Sequence, residues 1–243
     1  MTSTRDHYQA HLGPIYSWMV GDLESAFARS TAELEALDLP RLDAGTAVDL
    51  GAGFGLHAIP LAQRGYSVTA IDTCEPLLAQ LRARSATLPI TCVNANMLAF
   101  GNYVHSTIDL VLCMGDTLTH LPDIASVESL IAQVAAALAK DGLFIATFRD
   151  YISTPLQADQ RFILVRSDEQ RLLTCFLEYA GQHVTVHDLL YERKYGAWQQ
   201  RVSSYRKLRL APEWVLSKLT ECGLAARRSA GPAGMVQIVA TKT

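Results

Sequence analysis

The chain has 243 residues, 49% of them hydrophobic and 19% charged, and a formal net charge of −3. That is the balance of a globular protein with room for one large domain, or one domain with an elaboration, and it excludes a disordered chain. No long basic run announces nucleic acid or an anionic membrane as a partner.

The first residues are polar and lead into His7-Tyr8 without a basic region followed by an apolar core, so neither a signal peptide nor a transmembrane span is predicted and a cytoplasmic location is expected. Five cysteines, Cys74, Cys92, Cys113, Cys175 and Cys222, form no C-x-x-C pair, and buried free thiols are the expectation. Ile15, Met19, Leu23, Phe27 and Leu34 recur at helical spacing, predicting a helix over 15–37 that ends before Leu39-Pro40, within a helical cap spanning 1–40.

From 46 to 149 short apolar runs alternate with helical stretches. Strands are predicted near 46–50, 66–71, 90–94, 107–114 and 143–149, and helices near 55–64, 75–87 and 126–139. The third helix is preceded by Ser126, carries Glu128 and Ser129 in its first turn, and is closed by Asp141-Gly142. This alternation predicts βαβ units and a parallel sheet in a core over 41–150.

The character then changes. Phe162–Arg166, Arg171–Tyr179, His183–Tyr191 and Trp198–Leu210 are β-branched and aromatic runs joined by turns, an antiparallel meander inserted over 151–211. A helix from Pro212 through Cys222-Gly223 and a strand over Met235–Thr241 complete the core in 212–243.

Within this frame, Val48-Asp49-Leu50-Gly51-Ala52-Gly53-Phe54-Gly55 reads as a buried strand running into a glycine-rich turn and then a helix. Glycines let a ligand lie against the main chain, and the helix start offers free N–H donors, so an adenosine-like ligand is expected here. The pattern is G-x-G-x-G, with Leu56 where a dinucleotide fingerprint places its third glycine. Asp49, just before the first glycine, repels a pyrophosphate and attracts a cationic amino-acid group.

An acid followed by L-G-x-G-x-G resembles the first motif of the class I S-adenosylmethionine-dependent methyltransferases. The resemblance implies an α/β fold, a doubly wound and mostly parallel seven-stranded Rossmann-like sheet, whose last strands are an antiparallel hairpin matched by Ala225–Ser229 and Met235–Thr241. It implies S-adenosyl-L-methionine as cofactor, held by Asp49, Gly51, Ala52, Gly53 and Thr73, with Asp72 on the ribose hydroxyls. Asn96 and Met97 stand where the family cradles adenine; Asn replaces the usual acid, and its amide can accept from the adenine amino group and donate to a ring nitrogen. Met114 and Gly115 lie at the carboxyl end of the fourth strand, where open α/β sheets bind ligands. Asp109 matches a structural acid of that strand. Tyr8, Tyr16 and Trp18 of the cap either close over the sulfonium or pack the cap, and Tyr16 is assigned to the cofactor.

The stretch Met114-Gly115-Asp116-Thr117-Leu118-Thr119-His120-Leu121-Pro122 and the triplet Arg149-Asp150-Tyr151 are similar to the G-N-S-F-A-H-L-P and R-N-Y segments of glycine and sarcosine N-methyltransferases, with Asp116 and Asp150 in place of Asn. The resemblance implies that Arg149 clamps an acceptor carboxylate and leaves an amine facing the methyl group; pairing of Arg149 with Asp150 or Asp116 is the structural alternative. His120 is either a cofactor contact or general base, or a hydrogen-bonded loop histidine. His183 and His187 lie in a strand, about 13 Å apart, too far to share a metal ion. Tyr195, Trp198 and Arg201 are substrate walls or dimer surface.

The expected activity is in-line methyl transfer to N or O of a small acceptor, with a carboxylate-bearing amine as one candidate, in a site covered by the N-terminal helix and the meander. Nucleic acid and membrane partners are not expected; a homodimer is one candidate assembly, and the sequence does not fix the oligomeric state. Two alternatives stand beside it: a non-catalytic S-adenosylmethionine sensor or scaffold, and an NAD-dependent oxidoreductase, which Leu56 and Asp49 disfavour.

Overall fold

A computed structural model describes residues 2–37, 39 and 45–243. The N-terminal segment is not the single helix predicted over 15–37. It comprises α1 (Thr4–His7), a π-helical turn (Tyr8–Leu12), a 3-10 turn (Gly13–Ile15), α2 (Tyr16–Val20) and α3 (Leu23–Ala36). Pro14 supplies no N–H for a continuous α-helical ladder. Gly21, at φ +97°, ends α2, and Asp22 starts α3 by accepting from the Ser25 amide at 2.8 Å.

Next come β1 (Gly45–Leu50), α4 (Ala58–Gln63), β2 (Tyr66–Asp72), α5 (Glu75–Arg84), β3 (Ile90–Asn94), β4 (Ile108–Cys113), α6 (Ile124–Ala137) and β5 (Leu138–Phe148). Asp123, not Ser126, caps α6, accepting from the Ser126 amide at 2.7 Å. Asp141-Gly142 do not close that helix. They lie within β5, Asp141 at φ +62°, where the pairing of β4 with β5 shifts register between Ile108 and Leu110. The chain continues through β6 (Phe162–Ser167), β7 (Arg171–Ala180), β8 (His183–Lys194), β9 (Ala197–Leu208), α7 (Pro212–Glu221), β10 (Leu224–Ala230) and β11 (Val236–Lys242).

One sheet has seven strands in the order β10-β11-β5-β4-β1-β2-β3, parallel except at β11, which runs antiparallel to β5 and β10. This is the Rossmann-like methyltransferase fold. The chain winds outward from β1 in both directions, so the carboxyl ends of β1 and β4 flank the switch point where a crevice must open. Side-chain alternation builds a core on each face. Val48, Leu50, Val111 and Phe144 pack with Leu130, Ile131 and Val134 of α6 and Val215 and Leu219 of α7. On the other face Ala47, Val68, Leu110 and Ile145 meet Leu61 of α4, Leu78 and Leu81 of α5 and Leu34 of α3.

The second sheet, β6-β7-β8-β9, is the antiparallel meander. Its inner face, with Leu173, Leu177, Val184, Leu190 and Tyr205, receives Tyr8, Leu12 and Ile15, so the N-terminal segment is packed between the meander and the core. Of the five cysteines, Cys74 and Cys113 are buried and Cys92 and Cys175 half-buried, but Cys222 is exposed beyond α7. Among the described residues no helix is long and apolar enough to cross a membrane.

Phe144 is fully buried between α6 and the sheet, whereas Cys222 faces solvent. Phe144→Ala is expected to cost about 3–5 kcal/mol in urea unfolding, and Cys222→Ser to stay within about 0.5 kcal/mol of the parent.

Candidate active site

The glycine turn after β1 is dictated by space as well as by backbone angle. Gly51 has φ +75°, and a Cβ there would lie 2.4 Å from Thr117 Cγ2. The Gly51 and Ala52 amides both donate to the Ile71 carbonyl, at 2.8 and 3.1 Å, which pins the turn to the end of β2. Asp72 completes the junction: Oδ2 accepts from the Gly53 amide at 2.8 Å and Oδ1 from the Cys74 amide at 2.7 Å. Each oxygen retains accepting capacity for a ligand hydroxyl. Burial raises the Asp72 carboxyl above the usual range against these amide bonds.

The cavity at this junction is lined by Gly51, Ala52, Gly53, Asp72, Thr73, Asn96, Met97, Met114, Gly115, Tyr16 and His120, together with Tyr8, Thr117 and Arg5. The fold therefore gathers residues that are distant in sequence at the carboxyl ends of β1, β2, β3 and β4. Asp49 is the exception among the cofactor candidates, because it does not line this cavity. It is 2% exposed behind the turn, its Oδ2 has no hydrogen-bond partner, and burial pushes its carboxyl up to about 6, with His57 pulling the other way. Asn96 caps the 3-10 turn Met97–Tyr103, its Oδ1 accepting from the Leu98 amide at 2.9 Å. That bond engages the oxygen and leaves the NH2 group as the uncommitted part of the amide. Asp109, as expected of a structural acid, accepts from the Thr46 amide at 2.8 Å.

His120 lines the same cavity. Its Nε2 is buried without a partner, and its ring lies 5.4 Å from Tyr8 and 5.7 Å from Tyr205, centre to centre. Burial, reinforced by the positive charge of Lys207, pushes the imidazole down to about 3, so it is neutral at physiological pH. The loop bearing His120 starts at Asp116, which has φ +72°. Asp116 accepts from the Arg149 amide at 2.9 Å, the Tyr151 hydroxyl at 3.0 Å and Lys207 Nζ at 2.7 Å. Burial alone would raise this carboxyl, but Lys207 and the Arg149 amide hold it below the ordinary range.

Two expectations are corrected here. The Arg149 side chain is exposed and donates to the Ala233 carbonyl at 3.3 Å, away from the cavity; what Arg149 gives the site is its backbone N–H to Asp116. It makes no side-chain ion pair with Asp116 or Asp150 among the described residues. The meander does not cover the cavity either. Among the described residues none of 151–211 lines it, and Tyr195 and Trp198 are exposed at the β8–β9 hairpin while Arg201 pairs with Glu192 at 3.2 Å. The meander instead backs the site through Tyr205 and Lys207. Sequence reasoning missed both, and the only available signal was their two-residue spacing, which puts Lys207 on the inward face of β9. It also missed Arg5, an exposed residue that lines the cavity and whose guanidinium has no hydrogen bond or ion pair among the described residues.

Sheet order, glycine turn and strand-end cavity are those of the class I S-adenosylmethionine-dependent methyltransferase fold. Residues 47–142 match the family model described as a methyltransferase domain. The glycine/sarcosine N-methyltransferase of Aphanothece halophytica is 26% identical over 152 residues, covering 60% of this chain and 57% of that protein. The ubiquinone biosynthesis O-methyltransferase of Paracidovorax citrulli (strain AAC00-1) is 37% identical over 131 residues, covering 50% and 52%. Thus the chain spans about half the length of these curated relatives. The structure of the CcbJ methyltransferase from Streptomyces caelestis superposes with a TM-score of 0.77 at 18% identity, over 97% of each chain.

Gly51→Ala forces a Cβ into Thr117 at a left-handed backbone position. It is expected to lower stability by about 1–3 kcal/mol and to abolish adenosyl-ligand binding, read by thermal unfolding and calorimetry. Asp49 generates a pH dependence. A carboxyl at about 6 in the fold and about 4 when unfolded binds its proton more tightly in the folded state. Its contribution is present below pH ~4 and is lost as pH rises to ~6. The stability of Asp49→Asn relative to the parent is therefore expected to grow across that window, by on the order of 2–3 kcal/mol, and to stay flat above it, as measured by urea unfolding at each pH.

Proposed function

We propose that the chain transfers the methyl group of S-adenosylmethionine to the amine nitrogen of a small acceptor that also carries a carboxylate. The observation that carries this reading is that the Gly51–Gly53 turn and Asp72 line one cavity together with His120, Tyr8 and Tyr16. Asp72 would take the ribose hydroxyls, Asn96 and Met97 the adenine, and the turn with Met114 and Gly115 the amino-acid portion. Tyr8 and Tyr16 are half-buried, desolvation raises their phenols above the ordinary value so that they stay protonated, and their ring faces favour a sulfonium.

The protonation state of His120 favours nitrogen over oxygen. An alcohol must lose its proton as it attacks, and an imidazole at about 3 is a poor base. A neutral amine brings its own lone pair. It attacks the methyl carbon, the C–S bond breaks with its electrons going to sulfur, and the resulting ammonium sheds a proton afterwards. Catalysis is then mainly alignment, with His120 Nε2 available to hydrogen-bond the acceptor. The acceptor carboxylate is assigned to Arg5, since Arg149 points elsewhere. The glycine and sarcosine acceptors named for the Aphanothece halophytica relative are of this chemistry.

Turnover by mass spectrometry tests the proposal. Glycine, sarcosine and other amino acids are expected to give S-adenosylhomocysteine and a methylated amine, and Arg5→Gln to raise KM for them by about tenfold or more while leaving kcat near the parent value. Cofactor binding without turnover on any amine would mean a binding module, and equal turnover on amines lacking a carboxylate would remove Arg5 from the assignment.

A further inference from the structure

Lys207 is a half-buried cation, its side chain 12% exposed, that none of the roles above requires. Its Nζ reaches from β9 of the meander to Asp116 Oδ2 at 2.7 Å and lies 5.7 Å from the centre of the Tyr205 ring. Asp116 sits at a positive φ that residues other than glycine rarely adopt, and it begins the 3-10 turn Thr117–His120. Its own carbonyl closes that turn, accepting from the Thr119 amide at 3.2 Å and the Thr119 hydroxyl at 2.7 Å. Of the three donors on its carboxylate, the Arg149 amide and Tyr151 hydroxyl follow β5 in sequence and are neutral; Lys207 alone is charged and alone comes from the second sheet.

We propose that Lys207 is a positioning residue for the acceptor site, acting through Asp116 to hold the His120 turn against the cavity. This rests on the reading of His120 as part of the acceptor wall. Two consequences follow. The meander, which supplies no cavity wall among the described residues, contributes to the reaction by fixing the loop that does. An aspartate at 116 also becomes dependent on a cation at 207, because a buried carboxylate with only neutral donors is costly, whereas a neutral amide at 116 needs no such partner.

The same geometry sets the charge around His120. The groups facing it are Tyr8 from the π-helical turn, His7 from α1, Tyr205 and Lys207 from β9, and Asp116 from its own loop. Lys207 and His7 disfavour a proton on the imidazole, and Asp116 favours one. Removing Lys207 alone leaves the anion uncompensated.

The test is NMR titration of His120 in full-length parent, Lys207→Met, and the double variant Asp116→Asn/Lys207→Met, with S-adenosylhomocysteine affinity measured alongside. In Lys207→Met the His120 midpoint is expected to rise by about one pH unit or more, and in the double variant by less, while affinity stays within about twofold of the parent. If Lys207→Met does not fold, the double variant, which buries no unpaired charge, carries the test. An unchanged His120 midpoint in a folded variant overturns the proposal. So does loss of S-adenosylhomocysteine affinity together with the shift, which would mark Lys207 as general support for the fold. Failure of the parent to bind S-adenosylhomocysteine would contradict the cofactor reading, and the titration would still decide the role of Lys207.

Discussion

The Asp72 carboxylate is the joint on which the cavity depends. By accepting from Gly53 on one side and Cys74 on the other, it locks the loop after β1 to the loop after β2. The parallel register that pairs Leu50 with Ile71 brings the two strand ends level, so this bridge is short and local. The third wall joins by contact, because Thr117 packs against the bare α-carbon of Gly51. Three loops from three strands are thereby fixed to one another before any ligand arrives, which is the preorganisation that a transfer reaction relying on alignment needs.

Two other buried aspartates divide the electrostatics. Asp49 has an unpartnered oxygen and a carboxyl pushed up to about 6, so once ionised it places negative potential behind the glycine turn that His57 and the Ala58 amide offset only in part. That potential favours a ligand carrying ammonium and sulfonium charge and disfavours a pyrophosphate. Asp116 is equally buried but fully partnered, and its charge is cancelled by Lys207. The charge behind the glycine turn is thus left open at one oxygen, whereas the charge at the start of the His120 turn is paired.

The sequence was most informative where one local pattern decides the structure. Apolar runs alternating with helices located every strand of the parallel sheet, and the meander was legible from its β-branched and aromatic runs. Breaks within helices were harder to see: Ile15 to Leu34 keep a helical period, yet Gly21 and Asp22 interrupt it with a positive φ and a cap. The glycine turn and Asp72 were readable because the ligand-facing chemistry and the backbone requirement coincide there. Arg149 was misplaced because a strand end fixes where a backbone goes but not which way a long side chain leaves it. Lys207 and Arg5 were invisible for a related reason, since the contact of Lys207 with Asp116 spans 91 positions and the place of Arg5 depends on how the N-terminal segment packs under the meander.

The central claim is that this cavity is built for an adenosyl sulfonium ligand. Parallel calorimetric titrations of the purified protein with S-adenosylmethionine, S-adenosylhomocysteine and NAD test it most directly. The account predicts micromolar binding of both adenosyl ligands and none of NAD; binding of NAD alone would contradict it.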